Sequence, residues 1–283
     1  MRLCLIELHI TTRYILYKDI PAPFNIREQI CKYVKWHGLP LWPHDRNGYD
    51  HEIVKASLHI NNNILAMIAT ADVKGRYCDD KNENLERIEF FRMQAKELGC
   101  YNKPKGFETP LSRYTYLQNK GTWIDYVPFP EDKFTVYMMV GIPGAGKDTI
   151  AKKLFGEIPI VSVDDIRREL KIDPKDKKAN GKTYQEVQER CRILMRGNNS
   201  FCFNATNINK DVRSKWIGLF KEYGGKIEMI YVEVPYKEIV KRNLEREHPV
   251  PLKIVDKMIR KLEMPEFDEA FTICEHINKM NKN

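Results

Sequence analysis

Gly141, Gly144, Gly146 and Lys147 stand in the spacing GxxxxGK between an apolar run, Tyr137 to Val140, and helix-forming sequence. Glycines leave room for an anion to approach the backbone, so the N–H groups of such a loop can cradle phosphate. The helix that follows points its positive end at the same spot, and Lys147 adds a full charge where the β- and γ-phosphates of ATP would lie. The residues expected to bind nucleotide are Gly141, Gly144, Ala145, Gly146, Lys147, Asp148 and Thr149. Position 148 is an aspartate where a Ser or Thr hydroxyl commonly sits beside Mg²⁺. A carboxylate can hold Mg²⁺, directly or through water, but it repels bare phosphate, so binding should lean more heavily on the metal.

A second apolar run, Ile158 to Val163, ends in Asp164-Asp165, with Arg167 and Arg168 just beyond. The carboxyl ends of neighbouring parallel strands open onto one crevice, which places Asp164 opposite the glycine-rich loop. A carboxylate there can take the proton of an attacking hydroxyl, and Arg167 could grip a phosphate beside it. One of the two aspartates is expected to cap the start of the following helix instead. Farther along, Arg242 and Arg246 are four residues apart and share a helix face. Two guanidiniums there suit the neutralisation of charge during phosphoryl transfer. The bland alternative is a solvated charged face, with Glu238 and Glu245 as neighbours.

These groups need a scaffold. From Phe134 the pattern alternates between strand and helix: strands at 134–140, 158–163, 201–205 and 227–234, and helices at 149–155, 165–170, 184–195 and 210–223. A Lys-rich loop is expected over 171–182. Such alternation predicts an α/β domain with a parallel sheet between helices. Residues 1 to about 100 read as all-helical, with helices over 26–35, 53–73 and 85–98, the last presenting Ile88, Phe91 and Ala95 on one face. Four prolines and several aromatics between Asn102 and Lys133 read as a packed connecting segment, 101–133. The expected domains are therefore 1–100 and 134–283.

The length, 283 residues, suits two domains that each bury a core. The net charge is +8, and residues 134–283 hold 28 Lys and Arg against 22 Asp and Glu, while residues 1–133 hold 19 against 17. A mild basic excess on the phosphate-loop half fits a polyanionic substrate. Seven scattered cysteines without a CxxC pair argue for reduced thiols in a cytoplasmic setting and against a zinc finger. Met1 to Ile10 is interrupted by Glu7 and His9 and reads as neither signal peptide nor anchor. No run approaches transmembrane length, so no membrane partner is expected.

From Val136 to about Pro265 the sequence resembles the 5′-kinase domain of the bacteriophage polynucleotide kinase family, a group of P-loop phosphotransferases. The matching stretches are GIPGAGKDT at 141–149, VSVDDIRREL at 161–170, NATNINKDVRSKW at 204–216, KEYGGKIE at 221–228 and VPYKEIVKRNLER at 234–246, followed by VPLKIVDKM. The resemblance implies ATP and Mg²⁺ as cofactors and the 5′ ends of RNA or DNA as partners, in a setting of nucleic-acid repair. It implies that Lys147 binds the γ-phosphate, that Asp164 is the general base, and that Arg167 holds the acceptor's 3′-phosphate with Asp165 alongside. Arg242 and Arg246 would be lid arginines, Arg246 being the contact to the transferring phosphate, and helices would close the C-terminal end. Assembly into a homo-oligomer is left open.

The first hundred residues also resemble part of the HD-type metal phosphohydrolases, through VKWHGLPLW at 34–42 and ATADVKGR at 69–76. That resemblance implies His37 and Asp72 as ligands of a second divalent metal and removal of 2′,3′ phosphates. The family's earlier histidine and upstream His-Asp doublet have no counterpart; His44-Asp45 follows the segment, and His9 is a leftover candidate. The expectation is a degenerate or truncated HD-like domain. Three rival readings stand beside the polynucleotide kinase: a P-loop kinase of a small substrate such as a nucleoside, an HD-type phosphohydrolase, and a non-catalytic ATP-gated RNA-binding module.

Overall fold

The computed structural model describes residues 2–42, 47–77, 79–173, 176–245 and 249–277, and the chain separates into two compact units, Met1–Val127 and Pro128–Asn283. The first unit is helical. Its elements are α1 (Arg2–Lys18), α2 (Phe24–Trp36), a 3₁₀ turn at Leu39–Leu41, α3 (Tyr49–Ser57), α4 (Asn62–Gly75), α5 (Lys81–Glu97) and α6 (Pro110–Gln118). The α5 residues Ile88, Phe91 and Ala95 are fully buried, as their three- and four-residue spacing predicts. They share the core with Ile53 and Val54 of α3 and Leu65, Ala66 and Ala69 of α4.

One expectation for this unit fails. The apolar stretch from Ile53 to Val73 is not one helix but two, α3 and α4, because Asn61 and Asn62 interrupt it. The Asn61 side chain accepts from the backbone N–H groups of Asn63 and Ile64 and so starts a new helix. Asn62, fully buried, donates its amide to the carbonyls of Ile53 and Cys100 and pins the junction to the end of α5. The stretch expected to be connecting segment carries a helix of its own, α6, capped by Thr109, whose hydroxyl accepts from the Ser112 N–H.

α1 and α2 are joined by a buried ion pair. Arg13, 2% exposed, meets Glu28 through Nη2–Oε2 at 2.7 Å and Nε–Oε1 at 3.0 Å, with Arg27 Nε donating to the same carboxylate at 2.9 Å. Burial alone would raise the Glu28 pKa. The two guanidiniums outweigh it and hold the carboxyl at about 2, well below its ordinary 4.5.

The second unit is built on a five-stranded parallel sheet in the order β2-β3-β1-β4-β5, flanked by helices. The strands are β1 (Phe134–Val140), β2 (Ile160–Ser162), β3 (Phe201–Asn204), β4 (Gly225–Glu233) and β5 (Thr272–Ile277), and the helices are α7 (Lys147–Phe155), α8 (Val163–Glu169), α9 (Lys177–Arg196), α10 (Lys210–Glu222), α11 (Tyr236–Leu244) and α12 (Leu252–Arg260). β1 lies between β3 and β4, with Val136 beside both Phe201 and Ile227, so the loop that follows β1 opens at the middle of the sheet edge. Strand residues Val136, Met138, Phe201, Phe203, Ile227 and Met229 form the core, and Trp216 and Phe220 of α10 pack their rings on Phe203.

Two expectations change here. The Lys-rich stretch over 171–182 is not wholly loop, since α9 begins at Lys177. The C-terminal end is not closed by helices alone: after α11 and α12 the chain returns as β5, an edge strand paired with β4 from Glu228↔Thr272 to Glu233↔Ile277. β5 reads Thr-Ile-Cys-Glu-His-Ile, with neither a continuous apolar run nor a strict alternation, and stays half-exposed, so it gives a weak strand signal in sequence.

Candidate active site

The loop after β1 turns through backbone conformations that need glycine. Gly141 has φ +155°, and a Cβ there would stand 2.5 Å from the Val232 carbonyl oxygen of β4. Gly146, at φ +97°, precedes α7, and a Cβ on it would meet Arg242 Nη1 at 3.3 Å. The loop is thus a cradle that any side chain would fill, closed below by β4 and faced by a guanidinium. Gly141 N–H donates to the Thr206 carbonyl at 3.0 Å, and Asn207, after β3, donates its amide to the Met139 carbonyl at 2.8 Å. These bonds tie the loop to the β3–α10 connection. The N-terminus of α7 faces this loop and adds the helix dipole.

A cleft of about 820 Å³ opens over the loop. Residues 143–150 line it together with Asp164, Thr206, Arg242 and the carboxyl ends of β4 and β5. Gly144, Ala145, Gly146, Lys147, Asp148, Thr149, Asp164 and Arg242 therefore come together in one cavity, and Gly141 lies at its base against β4. Lys147 is almost buried, and its Nζ donates to the Ile142 carbonyl at 3.1 Å, inside the loop. Glycine-rich cradle, helix N-terminus and lysine are the donor set a nucleotide triphosphate requires, and the exposed carboxylate of Asp148 beside them is a hard oxygen ligand suited to Mg²⁺.

Asp164 and Asp165 sit in the first turn of α8, but neither caps it. Ser162 is the cap, its hydroxyl accepting from Asp165 N–H at 3.2 Å, so the expectation that one aspartate would serve only as a cap is corrected. Both carboxylates are instead paired within α8, Asp164 with Arg167 and Asp165 with Arg168. Arg167 also donates from Nε to Asn180 of α9 at 3.0 Å, which fixes its guanidinium beside Asp164. Asp165 does not line the main cleft. It faces a smaller one of about 120 Å³, together with Arg168, Lys152, Asp148 and Asn204.

Arg242 lies on α11 with Nε donating to Glu238 Oε1 at 2.7 Å, both side chains about one-third exposed. Arg246 lies outside the described residues, as do His44 and Asp45. In the helical unit, His37 donates from Nδ1–H to the Val34 carbonyl, 2.7 Å away, and Asp72 is exposed and paired with Arg76 one turn on. Among the described residues no group of three or more His, Cys, Asp or Glu side chains is placed to hold a metal, so the expected second metal site has no support. His9 is buried against Arg13, Nη1 to Nε2 at 3.3 Å.

Several site residues escaped sequence reasoning. Asn204, at the end of β3, donates its amide to Asp148 Oδ1 at 2.7 Å. Glu275, His276 and Ile277 of β5 line the cleft. Arg213, with no exposed surface, forms a two-pronged pair with Glu269 at 2.6 and 2.9 Å and donates to the carbonyls of Asn207 and Glu263, locking the β3–α10 connection to the chain before β5. Beside it, burial pulls the Lys210 pKa down, but Glu266, Asp268 and Glu269 together outweigh burial and raise it. The arginine in NATNINKDVRSKW was readable; its partner, 56 residues on, was not.

Among the described residues no helix is long and apolar enough to cross a membrane. Cys31, Cys100, Cys191 and Cys202 are buried free thiols, and burial pushes Cys191 and Cys202 up to about 12. Solved structures that match part of the chain include a Chloroflexus aurantiacus protein described as a kinase, at TM-score 0.46 and 12% identity over 53% of this chain and 90% of that one. A chain of the Pnkp1/Rnl/Hen1 complex matches at TM-score 0.36 and 23% identity over 38% of each chain. A sugar kinase from Janibacter sp. HTCC2649 matches at 0.37 and 18% over 50% and 85%. Residues 136–265 match the family model described as an AAA domain, and with the loop, helix and parallel sheet above they form a P-loop domain.

Proposed function

We propose that the P-loop unit is an ATP- and Mg²⁺-dependent kinase that phosphorylates the 5′-hydroxyl end of an RNA or DNA strand. The observation that carries this reading is the single cleft shared by Lys147, Asp164 and Arg242 over the glycine loop. The ordered motifs from 141 to 258 favour a polynucleotide as acceptor over a small molecule.

Bound ATP supplies the transferable phosphoryl group, and Mg²⁺ supplies counter-charge on its phosphates. The loop N–H groups and Lys147 would hold the β- and γ-phosphates, and Asp148 would supply an oxygen ligand to the metal. Asp164 takes the proton from the acceptor hydroxyl as that oxygen bonds to the γ-phosphorus and the β–γ bridging bond breaks, leaving ADP. Arg242 balances charge on the transferring group, with Arg246 assigned the same role by the family resemblance. Arg167, held against Asp164 by Asn180, would bind the phosphate 3′ to the reacting sugar, the role the family resemblance gives it. The base and the acceptor's phosphate anchor are thus neighbours on one helix.

Transfer of labelled γ-phosphate from ATP to a 5′-hydroxyl oligonucleotide tests the reading. Transfer is expected with Mg²⁺ and not with EDTA; no transfer to any polynucleotide, with ATP still bound, would overturn it. For the helical unit we read a degenerate HD-type domain without phosphohydrolase activity. In support, Asp72 is committed to Arg76 and His37 to a backbone carbonyl.

A further inference from the structure

The contact between Asp148 and Asn204 bears on how this site holds its metal. In P-loop nucleotide enzymes Mg²⁺ is held by a hydroxyl that follows the loop lysine and by a carboxylate from a neighbouring strand, the Walker-B position. Here the residue after Lys147 carries the carboxylate. The strand next to β1 on that side, β3, ends in an amide: Asn204 pairs in register with Met139 of β1 and with Ser162 of β2, and it lines the smaller cavity that Asp148, a wall of the main cleft, also borders. The two side chains touch, Asn204 Nδ2 donating to Asp148 Oδ1 at 2.7 Å.

We infer that the acidic and neutral members of the metal-binding pair have exchanged places in this chain: Asp148 on α7 provides the metal's carboxylate, and Asn204 on β3 is the residue that positions it. This inference rests on the nucleotide–Mg²⁺ reading of the cleft. Three observations support it. Asp148 is exposed at the cleft, whereas Asn204 is 5% exposed and rigidly held in the sheet, so the amide can orient the carboxylate without competing for the metal. The hydrogen bond fixes the amide's orientation, since turning it over would set two acceptor oxygens against each other. Asn204 Oδ1 is then buried with no hydrogen-bond partner among the described residues, an unmet acceptor within the same side chain that grips Asp148. A buried acceptor of that kind is matched by a donor such as a metal-bound water.

The pairing also accounts for why neither position fits the usual plan alone. A second carboxylate at 204 would face Asp148 at hydrogen-bond distance and repel it, where the amide donates to it instead. A single carboxylate with an amide partner keeps the charge balance of the ordinary hydroxyl–carboxylate pair.

The test is binding of a fluorescent ATP analogue to the full chain, titrated in Mg²⁺ and in EDTA, for the wild type, Asp148→Asn, Asp148→Ser, Asn204→Asp and the double variant Asp148→Ser/Asn204→Asp. Asp148→Asn keeps the shape of the side chain and separates loss of charge from loss of fold. Wild type should bind about tenfold or more tighter with Mg²⁺ than without, the scale of one close carboxylate–metal contact in a partly solvated site. Asp148→Asn and Asp148→Ser should lose most of that enhancement while keeping or improving metal-free binding, because a negative charge has left the phosphate site. The double variant should regain it. Full Mg²⁺ enhancement in Asp148→Asn, or a double variant no better than Asp148→Ser alone, would overturn the exchange while leaving nucleotide binding intact. Absence of analogue binding by the wild type in both conditions would overturn the functional reading itself, and the exchange with it.

Discussion

Arg242 lies across Gly146: a single carbon added to the glycine would stand 3.3 Å from the arginine's Nη1. The guanidinium therefore faces the turn that leads into α7, and Glu238, one helical turn earlier, holds it there through Nε. It lines the cleft together with Lys147 and Asp164.

That placement predicts a specific kinetic outcome. Arg242→Ala should lower the rate of phosphoryl transfer by about 10²- to 10³-fold, the range for losing one donor to a developing charge. ATP affinity should change much less, since the loop N–H groups and Lys147 remain. Steady-state kinetics with separate nucleotide-binding measurements will distinguish the two. A variant with normal turnover would return Arg242 to the solvated charged face that its partner Glu238 also permits.

Arg213 and Glu269 predict a stability effect with no direct chemistry. The pair is buried on both sides, and Arg213 also holds two backbone carbonyls, so removing one partner strands a charge. Glu269→Ala should cost about 3–5 kcal/mol in denaturant unfolding of the P-loop unit. Lys210→Ala, which removes a side chain more than one-third exposed, should cost distinctly less. Equal losses in the two variants would mean that the Arg213 pair is not the anchor of the chain before β5.

The helical unit carries a pH signature. Glu28 titrates at about 2 in the folded chain against an ordinary 4.5, so its folded pKa is depressed. The stability it contributes is fully present above pH 4.5 and is lost as the pH falls from there toward 2. The protection factors of the α1 and α2 amides, exchange rates divided by the intrinsic rate at each pH, should therefore fall across that window in the wild type. Glu28→Gln should be less stable at neutral pH and should lack this acid limb; an unchanged acid limb in the variant would assign the transition to other carboxylates.

The sequence made the chemistry more legible than its supports. The apolar run at 134–140 is a strand with the expected bounds, and the glycine loop is recognisable because its spacing is local and each glycine answers a backbone need. Asp164 reached the cleft because parallel strands all end at one edge. The division at Asn61 was hidden by an apolar stretch that continues on both sides of it, although three consecutive asparagines mark the place. Asn204 and Glu269 could not be foreseen as partners: each contact spans 56 residues, and nothing in the local pattern of either segment names the other. β5 was missed because an edge strand with Cys274 and Glu275 exposed at its middle lacks the apolar density of the buried strands.

The central claim is that Asp164 serves phosphate transfer to the end of a polynucleotide. The most direct measurement is kcat/KM for transfer from ATP to acceptors lengthened from a nucleoside 3′-monophosphate to an oligonucleotide, in the wild type and in Asp164→Asn. The account predicts that kcat/KM rises with acceptor length and that Asp164→Asn lowers turnover about a hundredfold or more with ATP binding nearly intact, the scale of a general base. Activity independent of acceptor length would instead identify a kinase of a small substrate, and undiminished turnover in Asp164→Asn would contradict the assignment of the base.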